Sequence, residues 1–190
     1  MKFPTCFLSG LVAAVMAAVV AAVVYVYSGT FNVAAVAPHT ALEFWVLNAA
    51  LERSVKVRAQ TITPPPVPPS QKIGEAFRTF NEMCVQCHSA PGKEPTMVGK
   101  GLNPPPPKLS DAAQRWSRAE LFWIVKNGIK MTGMPAFGPT HSDEELWLVV
   151  AFLQRLPNIS PEEFKEMADK FDSKPGSGMD MKGMSPGHKM

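Results

Sequence analysis

"FRTFNEMCVQCHSAPG", residues 77–92, holds two of the three cysteines in a chain of 190 residues. Cys84 and Cys87 stand three apart, and His88 follows directly. Three cysteines cannot staple a fold, so this pairing asks for a chemical reason. A zinc ribbon needs a second C-x-x-C pair, and only Cys6 remains. A thioredoxin-like redox pair needs a βαβ setting, and no alternating strand pattern surrounds the motif. A structural disulfide across two residues is unusual.

C-x-x-C-H reads as a c-type haem attachment site. At the end of a helix, two cysteines three apart project to one side and reach two vinyl groups of one porphyrin. The next residue then sits below the ring, where an imidazole nitrogen can ligate iron. The flanking sequence lacks such a core of its own. Residues 71–157 show a helix from Lys72 to Met83 with Ile73, Phe77 and Phe80 on one side. Ser117 with Glu120 opens "RAELFWIVKN", which stops at Gly128, and Ser142 with Glu145 opens "LWLVVAFLQRL", which ends at Pro157. The Pro- and Gly-rich loops "GLNPPPPKLSD" and "MTGMPAFGPTH" lie between them. Three modest helices leave a thin apolar core, which haem would complete.

A sixth iron ligand is offered by Met131 or Met134 in "NGIKMTGMPAFG". With Cys84-Val85-Gln86-Cys87-His88, Gly133-Met134-Pro135 and an aromatic C-terminal helix, residues 71–157 resemble the class I monohaem cytochromes c. The resemblance implies an all-α fold, three to five short helices wrapped around one covalent haem c. It also implies that Met134, directly before a proline, is the distal ligand and Met131 a packing or surface residue. Thioether ligation favours ferrous iron and leaves no open position, which suits electron transfer. Pro107-Lys108-Leu109 is similar to the family's Pro-x-Leu segment, whose proline carbonyl accepts the proximal histidine's N–H. Phe80 and Trp147 match the aromatic positions where the first and last helices cross, although Ala76 stands where the family usually has glycine. Phe122, Trp123 and Phe137 are expected as core or pocket walls, and Trp116 as packing or a propionate partner. His39 and His141 lack the Met-Pro loop context and are not expected as ligands.

Outside this domain, Phe7–Tyr27 is a run of 21 residues without a charge. As a helix it spans about 31 Å, enough for a bilayer core. A cleaved signal peptide is the alternative, but its apolar region is normally about 7–15 residues, and the nearest small-x-small site, Ala35-Val36-Ala37, precedes Pro38. The run reads as an uncleaved anchor over residues 1–28. Lys2 keeps the N-terminus cytoplasmic, which places the haem domain on the periplasmic side of the inner membrane. Cys6 reads as a bystander thiol.

Residues 29–63 contain a juxtamembrane helix with Thr40 as cap and Glu43 three residues on. Its apolar positions, among them Leu42 and Trp45, suit either the membrane surface or a protein face. "PPPVPP" within residues 64–70 reads as a semi-rigid spacer of about 20 Å. Residues 158–190 start a short helix at Ser160-Pro161 and then run into a Met-rich tail expected to be disordered. Met179, Met181, Met184, Met190 and His188 there suit soft Cu(I), against the plainer reading of an inert terminus.

With a net charge of +3 and scattered Lys and Arg, nothing suggests a nucleic-acid footprint. The expected function is a membrane-tethered carrier of single electrons between redox proteins, such as a membrane oxidase or reductase. Lys93, Lys100, Lys126 and Lys130 are steering candidates for acidic partners. A subunit docked in a larger oxidoreductase, or a haem-based gas or redox sensor, are the alternatives.

Overall fold

Three helices begin at reciprocal caps. In this computed structural model, which describes residues 5–172, these are α2 (Ala41–Ala59), α7 (Arg118–Asn127) and α8 (Asp143–Arg155). The hydroxyls of Thr40, Ser117 and Ser142 accept from the third helical N–H, while Glu43, Glu120 and Glu145 accept from the cap N–H. Each box satisfies two orphan donors. The cap bonds hold the Glu43 and Glu145 carboxyls below their usual range.

The other elements are α1 (Thr5–Tyr27), α3 (Ser70–Thr79), α4 (Val85–His88), α5 (Met97–Lys100), α6 (Leu109–Arg115) and α9 (Pro161–Asp172). The helix expected to stop at Met83 continues through a π-turn, Phe80–Cys84, and so carries the cysteine motif to its end at His88. Both α5 and α6 occupy segments with no strong apolar period. No strand is present among the described residues; Ala90 and Lys93 form a lone bridge.

The chain divides into two compact units, one ending at Pro38 and one beginning at His39. The first is α1 with its following turns; Phe7–Tyr27 has a mean hydropathy of 2.6 and is long enough to cross a membrane.

The second unit is built on the crossing of α3 with α8. Phe80 and Phe77 meet Phe152 at ring-centroid distances of 4.9 and 5.8 Å, with Ala76 buried beside them. The aromatic partner of Phe80 is therefore Phe152 rather than Trp147. Trp147 instead stacks on Phe122 of α7, 4.1 Å away and inclined by 7°. Helix α9 seals the crossing from outside: Phe164, 1% exposed, lies 5.2 Å from Phe77 and 6.1 Å from Phe80. Burying such a ring stabilises by roughly 1.5–3 kcal/mol.

The C-terminal half of α2 packs on α7, with Val55 and Ala59 buried. Glu52 pairs with Arg115, and Arg118 donates to the Pro65 carbonyl at 2.8 Å. The proline run thus lies fastened to the helices that follow it, in the same unit as α2.

Candidate haem-attachment site

The end of the α3–α4 helix positions the motif. Cys84 faces the apolar core, and burial, with Cys87 nearby, pushes its thiol up to about 12. A thiol held in that way is a poor nucleophile at neutral pH. Cys84 and Cys87 form no disulfide.

His88 Nδ1 lies 2.9 Å from the Pro107 carbonyl oxygen. A carbonyl only accepts, so Nδ1 carries the proton and the Nε2 lone pair is left for another partner. Burial lowers the His88 pKa, and the Pro107 bond opposes that only in part. The ring is therefore poised as a neutral donor.

Cys87 and His88 line a cleft of about 810 Å³ walled by Pro91, Pro105, Leu109, Leu156 and Ile159. That volume lies within the range of small-molecule and cofactor sites, roughly 300–1,000 Å³. Cys87 and a neutral imidazole on this cleft of apolar and charged side chains, with Cys84 one helical turn away against the core, are a donor set suited to a covalently held porphyrin. A second hollow of about 480 Å³ is lined by Phe122 and Trp123, two of the expected core or pocket walls, but holds neither cysteine, nor His88, nor Met134.

Met134 is partly buried against the core, whereas Met131 is 81% exposed. The loop between them is tied: Thr132 Oγ1 accepts from Met134 N–H at 3.1 Å, and Ile129 N–H reaches the Met134 carbonyl. Gly128 is required beneath it. Its φ is +65°, and a Cβ there would come within 2.8 Å of the Pro135 and Ala136 backbone and the Met134 carbonyl. Met134 does not line the cleft beside His88.

Sequence reasoning missed the layer that holds the motif from outside. Thr96 hydrogen-bonds to the Gln86 carbonyl, and Gly99 packs so closely that a Cβ would lie 2.5 Å from the Cys87 carbonyl oxygen. The run Thr96-Met97-Val98-Gly99 contained a cap signal, but nothing in it named the surface it would meet.

His39 and His141 lie off the cleft; His141 Nδ1 instead pairs with Thr140. Phe122 is buried in the core, Phe137 is partly buried against it and Trp123 is half-buried. Trp116 is half-buried against the core with the Arg115 guanidinium over its ring. Among the steering candidates, Lys93 and Lys100 border the cleft, but Lys126 is held by Asp143 at 2.6 Å and is not a free steering charge. Lys2 and the tail residues Met179, Met181, Met184, His188 and Met190 lie outside the described residues.

Residues 71–153 match the family described as cytochrome C oxidase, cbb3-type, subunit III. They are a cytochrome c domain. No curated protein and no solved structure matches the chain. The cytochrome c domain begins inside α3 and runs to Leu153 of α8, so it contains the motif, the Pro107 loop and Met134. It implies one covalent haem c, and the chain is a membrane-anchored electron-transfer protein. Helices α1, α2 and α9 lie outside the matched segment.

Proposed function

We propose that Cys84 and Cys87 carry the haem by thioether bonds, that His88 Nε2 and the Met134 sulfur are its axial ligands, and that Pro107 orients His88. Haem c supplies a one-electron Fe(III)/Fe(II) couple when bound. The chain's residues supply the rest. The Pro107 carbonyl fixes the ring and tautomer of His88 and makes the imidazole a better donor. Pro91, Leu109, Leu156 and Ile159 exclude water from the cleft beside it. Thr132 and Gly128 hold the Met134 loop in one conformation. The observation that carries this reading is the 2.9 Å contact from His88 Nδ1 to the Pro107 oxygen, which keeps the proton on Nδ1 and leaves the Nε2 lone pair for iron.

The haem-bearing domain, 71–157, stands on the periplasmic side in this reading, carried by the anchor at 1–28 and the segments between. Potentiometric titration tests the ligands. Met134→Leu should lower the midpoint potential by on the order of 100 mV or more, because a neutral, soft sulfur that favours ferrous iron is lost. Met131→Leu should leave it nearly unchanged. The reverse pattern would transfer the ligand role to Met131.

A second reading, a subunit resident in a membrane oxidase, is favoured by the description of the matched family.

A further inference from the structure

Helix α2 is two different surfaces in sequence. Its C-terminal half is docked on α7, but Leu42, Phe44 and Trp45 at the other end are 69, 58 and 67% exposed, and Val46 and Leu47 are exposed beside them. At about 100° per residue these five spread around the axis, and the polar side chains among them, Glu43 and Asn48, are engaged within the helix, by Thr40 and by Glu52. An end so largely apolar on its exposed surface suits an apolar medium.

The chain leading to it shares that character. From Phe3 to Leu51 the sequence holds a single Asp, Glu, Lys or Arg, which is Glu43. Glu43 is spoken for: its Oε2 accepts from the Thr40 N–H at 2.7 Å and from the Thr40 hydroxyl at 2.9 Å. The segment between α1 and α2 exposes Phe31, Val33 and Val36. It is residues 28–40, thirteen in all, and reaches at most about 45 Å fully extended. Charge returns only at Glu52, Arg53, Lys56 and Arg58. Arg53 comes eight residues after Trp45, about 12 Å along the helix. Interfacial helices bury roughly 5–10 Å into the headgroup–acyl boundary, with basic residues at the headgroups and Trp at the seam.

We propose that the N-terminal half of α2, Leu42 to Leu47, seats in the headgroup–acyl boundary of the bilayer that holds α1. The exposed basic residues Arg53 and Arg58 then lie at phosphate level, and the C-terminal half joins that foothold to α7. The cytochrome c domain is thereby held at the membrane surface in a set attitude by two attachments. The proposal rests on the membrane anchoring of the chain and is independent of which residues ligate iron.

The test is photo-crosslinking of the full-length holoprotein in vesicles of phosphatidylethanolamine and phosphatidylglycerol doped with a diazirine-acyl phospholipid. Glu-C protease cuts after Glu43 and Glu52 and separates Phe44–Glu52 from the anchor. Lipid adducts on Phe44–Glu52 should exceed several-fold those on Leu121–Glu144, a fragment that also exposes an apolar side chain at Met131. Phe44→Gln with Trp45→Gln should abolish the α2 adducts and leave those on α1. These two side chains are exposed, so the exchange leaves the core intact, which retention of the haem spectrum verifies. Equal yields on both fragments, no adduct on Phe44–Glu52, or cross-links there to a second copy of the chain would each overturn the proposal.

Discussion

Glu145 performs a cap's work at one carboxylate, and its ionisation makes that work depend on pH. The Ser142 N–H and hydroxyl each donate to Glu145 Oε2 at 2.8 Å, and these bonds lower its pKa from 4.5. A carboxyl with a folded pKa below its unfolded one contributes stability above the unfolded value and loses it as pH falls through the folded one. Glu145→Gln should therefore lower the thermal midpoint of the holoprotein at pH 7, and the gap from the parent should narrow as pH falls below 4.5. A gap of constant size down to pH 3 would show that the charge is not what the cap uses. The same scale explains His88. Its tautomer follows from one carbonyl contact, so a residue legible in the sequence has its proton placed by a loop nineteen residues away.

Helices were legible where caps announce them, and their partners were not. Thr40, Ser117 and Ser142 predict three starts, and each carries its reciprocal bond. The crossing was misplaced for a physical reason. "LWLVVAFL" in α8 is apolar on almost every side, so its period does not single out one face, and Trp147 and Phe152 are equal candidates until α3, α7 and α9 take their places. Helix α9 shows the same limit. Its start was readable at Ser160, whose hydroxyl accepts from the Glu163 N–H at 3.1 Å, but not the aromatic seat it fills. Phe164→Ala should cost roughly 3–5 kcal/mol, because a fully buried ring is replaced by a cavity beside Phe77 and Phe80. Chemical denaturation of the holoprotein measures it; a loss below about 1 kcal/mol would show that α9 is merely appended. The site's outer layer, Thr96 and Gly99 against Cys87, was unreadable because close backbone approach leaves no pattern beyond a lone glycine.

At the scale of the whole molecule, the family match and the uncharged N-terminal stretch support the proposal of a carrier that serves a membrane oxidase. Mild detergent extraction distinguishes a resident subunit from a shuttle. Residence predicts one large complex in which the haem-bearing chain co-migrates with the other subunits through size exclusion; a shuttle predicts a separate small species. The strap from Arg118 to Pro65 bears on the same question. Because the proline run is tied to α7, it adds no reach between α2 and the helices that follow. Residues 28–40 join the anchor to α2. With α2 seated at the boundary, a longer or shorter piece there would change only how far the foothold can wander within the plane of the bilayer, and would leave the height of the redox centre above it the same.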